Sequence, residues 1–230
     1  MITTIMYKVC ILTAGQGTRN RYAQASNKAL LPLGSVTTLS YIISKFPEDT
    51  QLVLAIGYNS QLVREYAKRW GNRVTFVKVR YTGEGCGPGY SLLHCKDYLQ
   101  EPFIYMACDT IVTGDIPEPD INWIGVAKVK DKLPYLTLRT EGKLVQQVYD
   151  KGDKDATHTA SIGLVGVKDY KAFFEGLEHP TLVQGEHQDT PGLNALIPHK
   201  LHPIRFNWLD IGTTEGYEYA NKCFGKNVSR

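Results

Sequence analysis

The first half of the chain alternates apolar runs of strand length with segments of helical spacing. The apolar runs occur at 9–12, 52–56 and 103–107, and 74–79 is a further strand-like segment that includes Thr75 and Lys78. Between them, apolar residues recur every three or four positions in 38–45, 60–70 and 90–99. Runs without a polar face indicate strands that are buried on both sides, and helices between such strands favour parallel pairing. The pattern predicts an α/β fold with a mostly parallel, Rossmann-like central sheet flanked by helices.

The second half predicts a smaller, mixed β lobe. Strand-like runs occur at 123–129 and 161–167, and the runs 136–139 and 143–148 flank a Glu141-Gly142 turn, which is typical of a hairpin. The polar stretch 176–191, rich in histidines and acids, predicts a loop over one face. Because no repeat or linker interrupts the pattern, we expect residues 1–230 to form a single domain.

Composition narrows the class of partner. The chain has 26 basic against 23 acidic residues and no basic stripe, so a nucleic-acid partner is not expected. Its five cysteines are odd in number and include no Cys-x-x-Cys pair, which argues against both a disulfide framework and a zinc site. No signal peptide and no apolar run of membrane-spanning length is visible. We therefore expect a soluble, cytoplasmic protein without a membrane partner.

A glycine-rich turn directly follows the first predicted strand. Such a turn can direct backbone N–H groups at phosphate oxygens. Arg19 and Lys28 add two positive charges beside it. The sequence therefore predicts a triphosphate-binding loop, with Arg19 and Lys28 as its catalytic cations. The residues predicted to bind the nucleotide here are Leu12, Ala14, Gly15, Gln16, Gly17 and Thr18.

Two better-known phosphate loops do not match. The P-loop needs a Lys-Ser/Thr pair after its last glycine, whereas Gly17 is followed by Thr18-Arg19. The dinucleotide fingerprint needs a third glycine where this chain has Asn20.

The loop, followed by Asn27-Lys-Ala-Leu-Leu-Pro-Leu33, closely resembles the signature of the sugar-nucleotide nucleotidyltransferases. That family has Gly-x-Gly-Thr-Arg and then Pro-Lys-x-Leu-x-Pro; here Asn27 replaces the first proline, and Tyr22 lies near the usual place of another. The resemblance implies a GT-A-like fold and Mg²⁺ as cofactor. Short members include sugar-1-phosphate nucleotidyltransferases and phosphocholine cytidylyltransferase, to which Tyr90-Ser91-Leu92 is similar.

Two aspartates are candidate metal ligands. Asp109 follows the fourth predicted strand, and ligands of open parallel sheets bind at the carboxyl ends of strands. Mg²⁺ prefers such oxygen ligands, although a turn or cap aspartate is the alternative. The segment Trp208-Leu-Asp210-Ile-Gly212-Thr resembles a late motif of the family, whose aspartate completes the metal site. The alternative is that Thr213 or Thr214 merely caps a helix.

The resemblance also implies the base and acceptor sites. Glu84, Gly87 and Gly89 match the family's base-binding turn, although a plain turn before a helix explains them equally well. Lys151 stands where the family has a lysine that contacts the acceptor phosphate, with Lys154 as a nearby competitor. Gly163 matches a glycine under the acceptor. The cluster of Glu186, His187 and Asp189 is interpreted as a solvated loop, with Glu186 as a candidate to face the acceptor.

Taken together, the motifs predict a Mg²⁺-dependent nucleotidyltransferase that couples an NTP, CTP or UTP by preference, to a phosphorylated sugar or small phospho-alcohol. Its product would be a precursor of surface polysaccharide, and the protein could form a homo-oligomer. Because the chain ends soon after the Asp210 motif, we expect no C-terminal β-helix and no acyltransferase activity. One alternative is a nucleotide-sensing regulatory subunit without activity. Another is a glycosyltransferase, which usually shows Asp-x-Asp where this chain has Asp109-Thr110-Ile111.

Overall fold

A computed structural model describes residues 6–180 and 182–226 of the protein. Its helices alternate with strands through the first half, as predicted. The helices are α1 (Thr38–Ile43), α2 (Ser60–Ala67), α3 (Pro88–His94), α4 (Tyr170–Leu177), α5 (Thr190–Leu196) and α6 (Thr214–Lys226). The strands are β1 (Lys8–Leu12), β2 (Pro32–Leu33), β3 (Val36–Thr37), β4 (Gln51–Ile56), β5 (Val74–Lys78), β6 (Phe103–Ala107), β7 (Thr110–Thr113), β8 (Trp123–Lys128), β9 (Thr137–Glu141), β10 (Leu144–Tyr149), β11 (Thr159–Val167), β12 (Leu182–Val183), β13 (Glu186–His187), β14 (His202–Arg205) and β15 (Asn207–Asp210).

One large sheet organises the molecule. Its strands run in the order β10-β9-β11-β6-β1-β4-β5, and β8, which carries β14 at its far side, also pairs with β11. The strands β5, β4, β1 and β6 are parallel, whereas β11 is antiparallel to β6. The predicted parallel centre and the mixed β region of the second half are therefore confirmed. Since β11 adds directly to β6, the strands of the two halves share one sheet.

Two apolar layers enclose this sheet, because alternate residues of each central strand point to opposite faces. In β1, Val9 and Ile11 face one layer and Cys10 faces the other. Apolar residues of α1, α2 and α6 fill the first layer, and those of α3, α4 and α5 fill the second. This two-sided burial explains why the central strands read as continuous apolar runs.

Strand β11 bends at Gly163. Its pairing register with β8 shifts between Ser161 and Val165, and Gly163 has a φ of 68°, which favours glycine. After the bend the strand pairs with β6; before it, Ala160 pairs with Thr137 of β9. The bend places Gly163 against the end of β6, where a Cβ atom would lie 3.2 Å from the Cβ of Ala107.

The prediction of a loop over 176–191 was wrong. Helix α4 extends to Leu177, the strands β12 and β13 form a small antiparallel hairpin, and α5 begins at Thr190. Two-residue strands have no periodicity that a sequence pattern can reveal. Among the residues that the structure describes, no helix combines the length and the hydropathy that a membrane span requires.

Candidate active site

A cleft of about 720 Å³ lies at the carboxyl ends of β1 and β6. It collects most of the residues that the sequence singled out. Two candidates for nucleotide binding, Glu84 and Gly89, are not among the residues that line it. The candidates that do line it are Leu12, Ala14, Gly15, Gln16, Gly17, Thr18, Arg19, Lys28, Gly87, Asp109, Lys151, Gly163, Glu186 and Asp210.

The glycine loop is anchored at its base and open at its tip. The backbone N and Oγ1 of Thr13 both donate to the carbonyl of Ala55, at 2.9 and 2.8 Å. At the tip, Gly17 has a φ of 66°, and a Cβ there would lie 2.8 Å from Cγ of Lys28. Gly17 is therefore required both by its backbone conformation and by the lysine stem that crosses it.

Asn27, which replaces the family's first proline, fixes the start of the Lys28 turn. It is buried, and its Nδ2 donates to the carbonyls of Thr13 and Tyr58 at 2.9 and 2.8 Å. Its Oδ1 accepts a hydrogen bond from the backbone N of Ala29 at 2.9 Å, as an N-cap does. Three side-chain hydrogen bonds thus position the lysine by a different means from a rigid proline.

Lys28 and Asp109 form an ion pair deep in the cleft. The ammonium donates to Oδ2 of Asp109, and the two side chains are only 14% and 18% exposed. Burial disfavours both charges, but the pairing outweighs it: the pKa of Lys28 is raised by the carboxylate, and the pKa of Asp109 is lowered by the ammonium. Both groups are therefore charged at neutral pH.

Asp109 and Asp210 are brought together by a pairing outside the central sheet. Strand β15 is antiparallel to β7, with Asp210 opposite Thr110, and the backbone N of Ile211 donates to the carbonyl of Asp109 at 3.1 Å. A Cβ atom on Gly212 would lie 2.9 Å from Oδ1 of Asp210 and 3.1 Å from Oδ2 of Asp109. The same point is 3.6 Å from Nη2 of Arg19. Two carboxylates and a guanidinium therefore surround one small space that only a glycine leaves open.

This space suits a cation that takes part of its ligands from a substrate. In the described part of the chain, no three His, Cys, Asp or Glu side chains are grouped to hold a metal by themselves. Mg²⁺ commonly binds through one or two carboxylates and completes its shell with substrate phosphates and water. Asp109 and Asp210 fit that pattern. Burial raises the pKa of the neighbouring Cys108 thiol to about 12, with Lys28 opposing the rise, so this thiol is protonated in the metal-free protein.

The two end motifs of the sequence are bonded to each other. The buried Asn20 donates from Nδ2 to the carbonyl of Ile211 at 2.9 Å, and the backbone N of Thr214 donates to the carbonyl of Arg19 at 3.2 Å. Oγ1 of Thr213 accepts from the backbone N of Gly216 at 3.1 Å, so it does cap the last helix. Thr213 therefore caps the helix, as the alternative interpretation of this motif predicted, and Asp210 nevertheless lies in the cleft.

The turn before α3 and the first residues of α3 are packed against the β12–β13 hairpin and the residue that follows it. A Cβ on Gly87 would lie 2.5 Å from the carbonyl oxygen of His187, and one on Gly89 would lie 2.2 Å from that of Gln188. The backbone N of Gly85 donates to the carbonyl of Gly185 at 2.8 Å. Gly85, Gly87 and Gly89 thus allow the two backbones to approach each other closely. Of these three glycines, only Gly87 lines the cleft.

The acceptor side of the cleft is more buried than the sequence indicated. His187, Gln188 and Asp189 are buried, so the interpretation of this cluster as a solvated loop was wrong for His187 and Asp189, whereas Glu186 is exposed. The hydroxyl of the fully buried Tyr105 donates to Oδ2 of Asp189 at 2.7 Å, and burial raises the pKa of both groups. Of the acceptor candidates, Glu186 accepts a hydrogen bond from Gln188 Nε2 at 2.9 Å.

The structure also separates the two competing lysines. Lys151 is half-buried and lines the cleft, and its charge acts on the neighbouring Asp189. Lys154 is exposed and is not among the lining residues. The position of Lys151 therefore agrees with a role at the acceptor phosphate, which stays a prediction.

Two tyrosines that line the cleft were not among the residues predicted from the sequence. Tyr105 lies inside an apolar strand. A tyrosine hydroxyl that is buried there needs a hydrogen-bond partner, and this need is the one signal in the sequence that points to Tyr105. Tyr135 lies in an unpatterned segment between β8 and β9, yet its hydroxyl donates to Oδ2 of Asp210 at 2.9 Å. Burial and this carboxylate both raise the pKa of Tyr135, which keeps the hydroxyl a donor.

Comparisons with known families agree with the motif resemblance. Residues 9–118 match the family model of the MobA-like NTP transferase domain. The bifunctional protein GlmU of Methanococcus vannielii is 28% identical over 234 residues, covering 95% of this chain and 55% of that protein. GlmU of Methanocaldococcus jannaschii is 26% identical over 222 residues, covering 92% and 53%. The chain spans about half the length of these curated relatives.

Solved structures establish the fold. A UDP-glucose pyrophosphorylase complexed with UDP-glucose superposes with a TM-score of 0.81 at 20% identity, covering 96% of this chain and all of that one. CTP:phosphocholine cytidylyltransferase (LicC) from Streptococcus pneumoniae superposes with a TM-score of 0.77 at 17% identity, covering 95% and 99%. The predicted Rossmann-like, GT-A-like fold is thereby confirmed. The family-model match of residues 9–118 confirms the resemblance to nucleotidyltransferases.

Proposed function

We propose that this protein is a Mg²⁺-dependent nucleotidyltransferase that couples an NTP to a phosphorylated small molecule and releases pyrophosphate. The observation that carries the proposal is the meeting of Asp109, Asp210 and Arg19 around Gly212, beside a glycine loop. The match of residues 9–118 to an NTP transferase domain supports the same chemistry.

The chain's own groups bind and align the triphosphate. The glycine loop presents its backbone to the phosphates, and Arg19 and Lys28 counter their negative charge. Mg²⁺, held by Asp109 and Asp210, supplies further positive charge to the phosphate oxygens when it is bound. Lys28 is already fixed by its ion pair with Asp109, and Asp210 by its hydrogen bond from the backbone N of Gly212, so these groups need little reorganisation at the moment of reaction.

The transfer itself needs no base from the protein. An oxygen of the acceptor phosphate attacks the α-phosphorus, and the bond from that phosphorus to the bridging oxygen of the β-phosphate breaks. The electron pair leaves with pyrophosphate, and no proton moves because the acceptor phosphate is already anionic. Lys151 holds that acceptor phosphate in line, so catalysis is mainly positioning and electrostatic stabilisation.

For the substrates, we propose a pyrimidine NTP, CTP or UTP, and a sugar 1-phosphate or small phospho-alcohol. The similar solved structures support this choice, since they include a pyrophosphorylase complexed with UDP-glucose and a CTP:phosphocholine cytidylyltransferase. A product used for surface polysaccharide is part of the same proposal. A cytoplasmic location and formation of a homo-oligomer stay predictions.

The proposal is tested by pyrophosphate release in Mg²⁺. Each of four NTPs is paired with each member of a panel of sugar 1-phosphates and phospho-alcohols, and every pair is run beside Asp109→Asn. We expect release that requires one NTP and one acceptor and is lost in the variant. Tight nucleotide binding with no release from any pair would instead favour the nucleotide-sensing alternative.

A further inference from the structure

The orientation of the Asp210 carboxylate is fixed from both sides. Its Oδ1 accepts a hydrogen bond from the backbone N of Gly212 at 2.8 Å, and its Oδ2 accepts one from the hydroxyl of Tyr135 at 2.9 Å. A carboxylate oxygen has two lone-pair directions, so each oxygen keeps one free for a further ligand. Of the two donors, only Tyr135 comes from outside the Asp210 motif.

Tyr135 is itself held in place. Its ring meets the ring of Trp208 edge-on, with centroids 5.6 Å apart and planes at 78°. Trp208 lies two residues before Asp210 on the same strand, so both side chains leave the same face of β15. The tyrosine therefore contacts this strand twice, through its ring and through its hydroxyl.

The segment that carries Tyr135 is also bonded to the acceptor side of the cleft. The backbone N of Gly152 donates to the carbonyl of Leu133 at 3.0 Å, next to Lys151. The backbone N of Ser161 donates to the carbonyl of Leu136 at 2.8 Å. The 132–136 segment thus joins the turn of the proposed acceptor lysine to the proposed metal carboxylate.

We propose that Tyr135 is a positioning residue for the reaction, acting through Asp210. Its hydroxyl holds the plane of the Asp210 carboxylate so that the free lone pairs face the space beside Gly212. This inference rests on the proposed function, because it assigns Asp210 to the cation that accompanies the triphosphate. Outer-shell partners of this kind commonly affect metal affinity by 10- to 100-fold.

The test is Tyr135→Phe, which removes the hydroxyl and keeps the ring against Trp208. Tyr22→Phe is the matched control: Tyr22 also donates to a carboxylate at 2.9 Å, that of Glu218, but on the exposed surface. Mn²⁺ binding is measured by electron paramagnetic resonance, with protein and the α,β-methylene analogues of CTP and UTP. We expect Mn²⁺ affinity to fall about tenfold in Tyr135→Phe and to stay unchanged in Tyr22→Phe.

The kinetic signature is equally specific. In Tyr135→Phe the Mg²⁺ concentration for half-maximal rate should rise by a similar factor, while the KM for the acceptor stays constant. A raised acceptor KM with unchanged Mn²⁺ affinity would overturn the proposal and make Tyr135 an acceptor contact.

Asp210→Asn separates this inference from the proposed function. Weak Mn²⁺ binding in Asp210→Asn, with wild-type binding in Tyr135→Phe, would overturn the role of Tyr135 alone. Wild-type Mn²⁺ binding in both variants would overturn the metal site itself.

Discussion

Lys28→Met is expected to lower kcat/KM for pyrophosphate release by roughly a hundredfold to a thousandfold, the usual cost of losing one fixed group that stabilises the transition state. The ammonium lies between the glycine loop and Asp109, in a part of the cleft where both side chains of the ion pair are mostly buried. There its charge interacts more strongly with the phosphates than a charge on the protein surface would. Methionine retains the aliphatic part of the side chain that packs on Gly17, so the fall in kcat/KM measures the contribution of the positive charge.

The same variant should change the pH profile of the remaining activity. Asp109 loses the partner that holds its pKa below the usual range, while its burial stays. Its pKa in the metal-free enzyme therefore rises, and the acidic limb of the pH profile of kcat/KM, which reports groups of the free enzyme, moves to higher pH. Lys68→Met is the control, because Lys68 pairs with Glu65 at 2.7 Å on the surface and should leave kcat/KM unchanged. A Lys28→Met enzyme as fast as wild type would contradict the assignment.

Gly212→Ala is expected to reduce kcat by about a hundredfold or more, because displacement of reacting groups by about 1 Å has costs of that order. The added methyl would lie 2.9 Å from Oδ1 of Asp210 and 3.1 Å from Oδ2 of Asp109. One carboxylate must move, and the space between the two is filled. Gly212 does not have a positive φ, so alanine fits its backbone, and global stability should change little.

The control for this substitution is Gly142→Ala. Gly142 lies in the exposed turn of the β9–β10 hairpin with open space around it and a φ of 56°. Alanine there should cost about 1 kcal/mol of unfolding free energy without an effect on kcat. The comparison uses steady-state kinetics together with thermal melting. Full activity of Gly212→Ala would show that no cation is held between Asp109 and Asp210.

Short sequence patterns predicted those parts of the site whose residues lie close together in the sequence. The glycine loop and its lysine lie within one short stretch, and Asp109 directly follows a buried strand. The order of loop, strand and side chain placed these residues, and the family resemblance implied their roles. The same resemblance implied that Asp109 and Asp210 meet at one metal site. The structure brings the two together through the separate pairing of β7 with β15.

Contacts between distant segments account for what the sequence did not reveal. Burial of 187–189 depends on the close approach of the Gly87–Gly89 turn, which leaves no trace in the polarity of those residues. Tyr135 reaches Asp210 from a segment without periodicity. Asn27 stands where the family has a proline. The three hydrogen bonds of the Asn27 side chain become visible only once the fold brings Thr13 and Tyr58 beside it.

The most direct test of the account is the fate of the α-phosphate. The protein is incubated with Mg²⁺, the acceptor panel and NTPs labelled with ³²P at either the α- or the γ-position, beside Asp109→Asn. The account predicts that α-label appears in a new acceptor-linked product, that γ-label appears only in pyrophosphate, and that the variant forms neither. Transfer of γ-label to the acceptor, or equal product formation by Asp109→Asn, would contradict it.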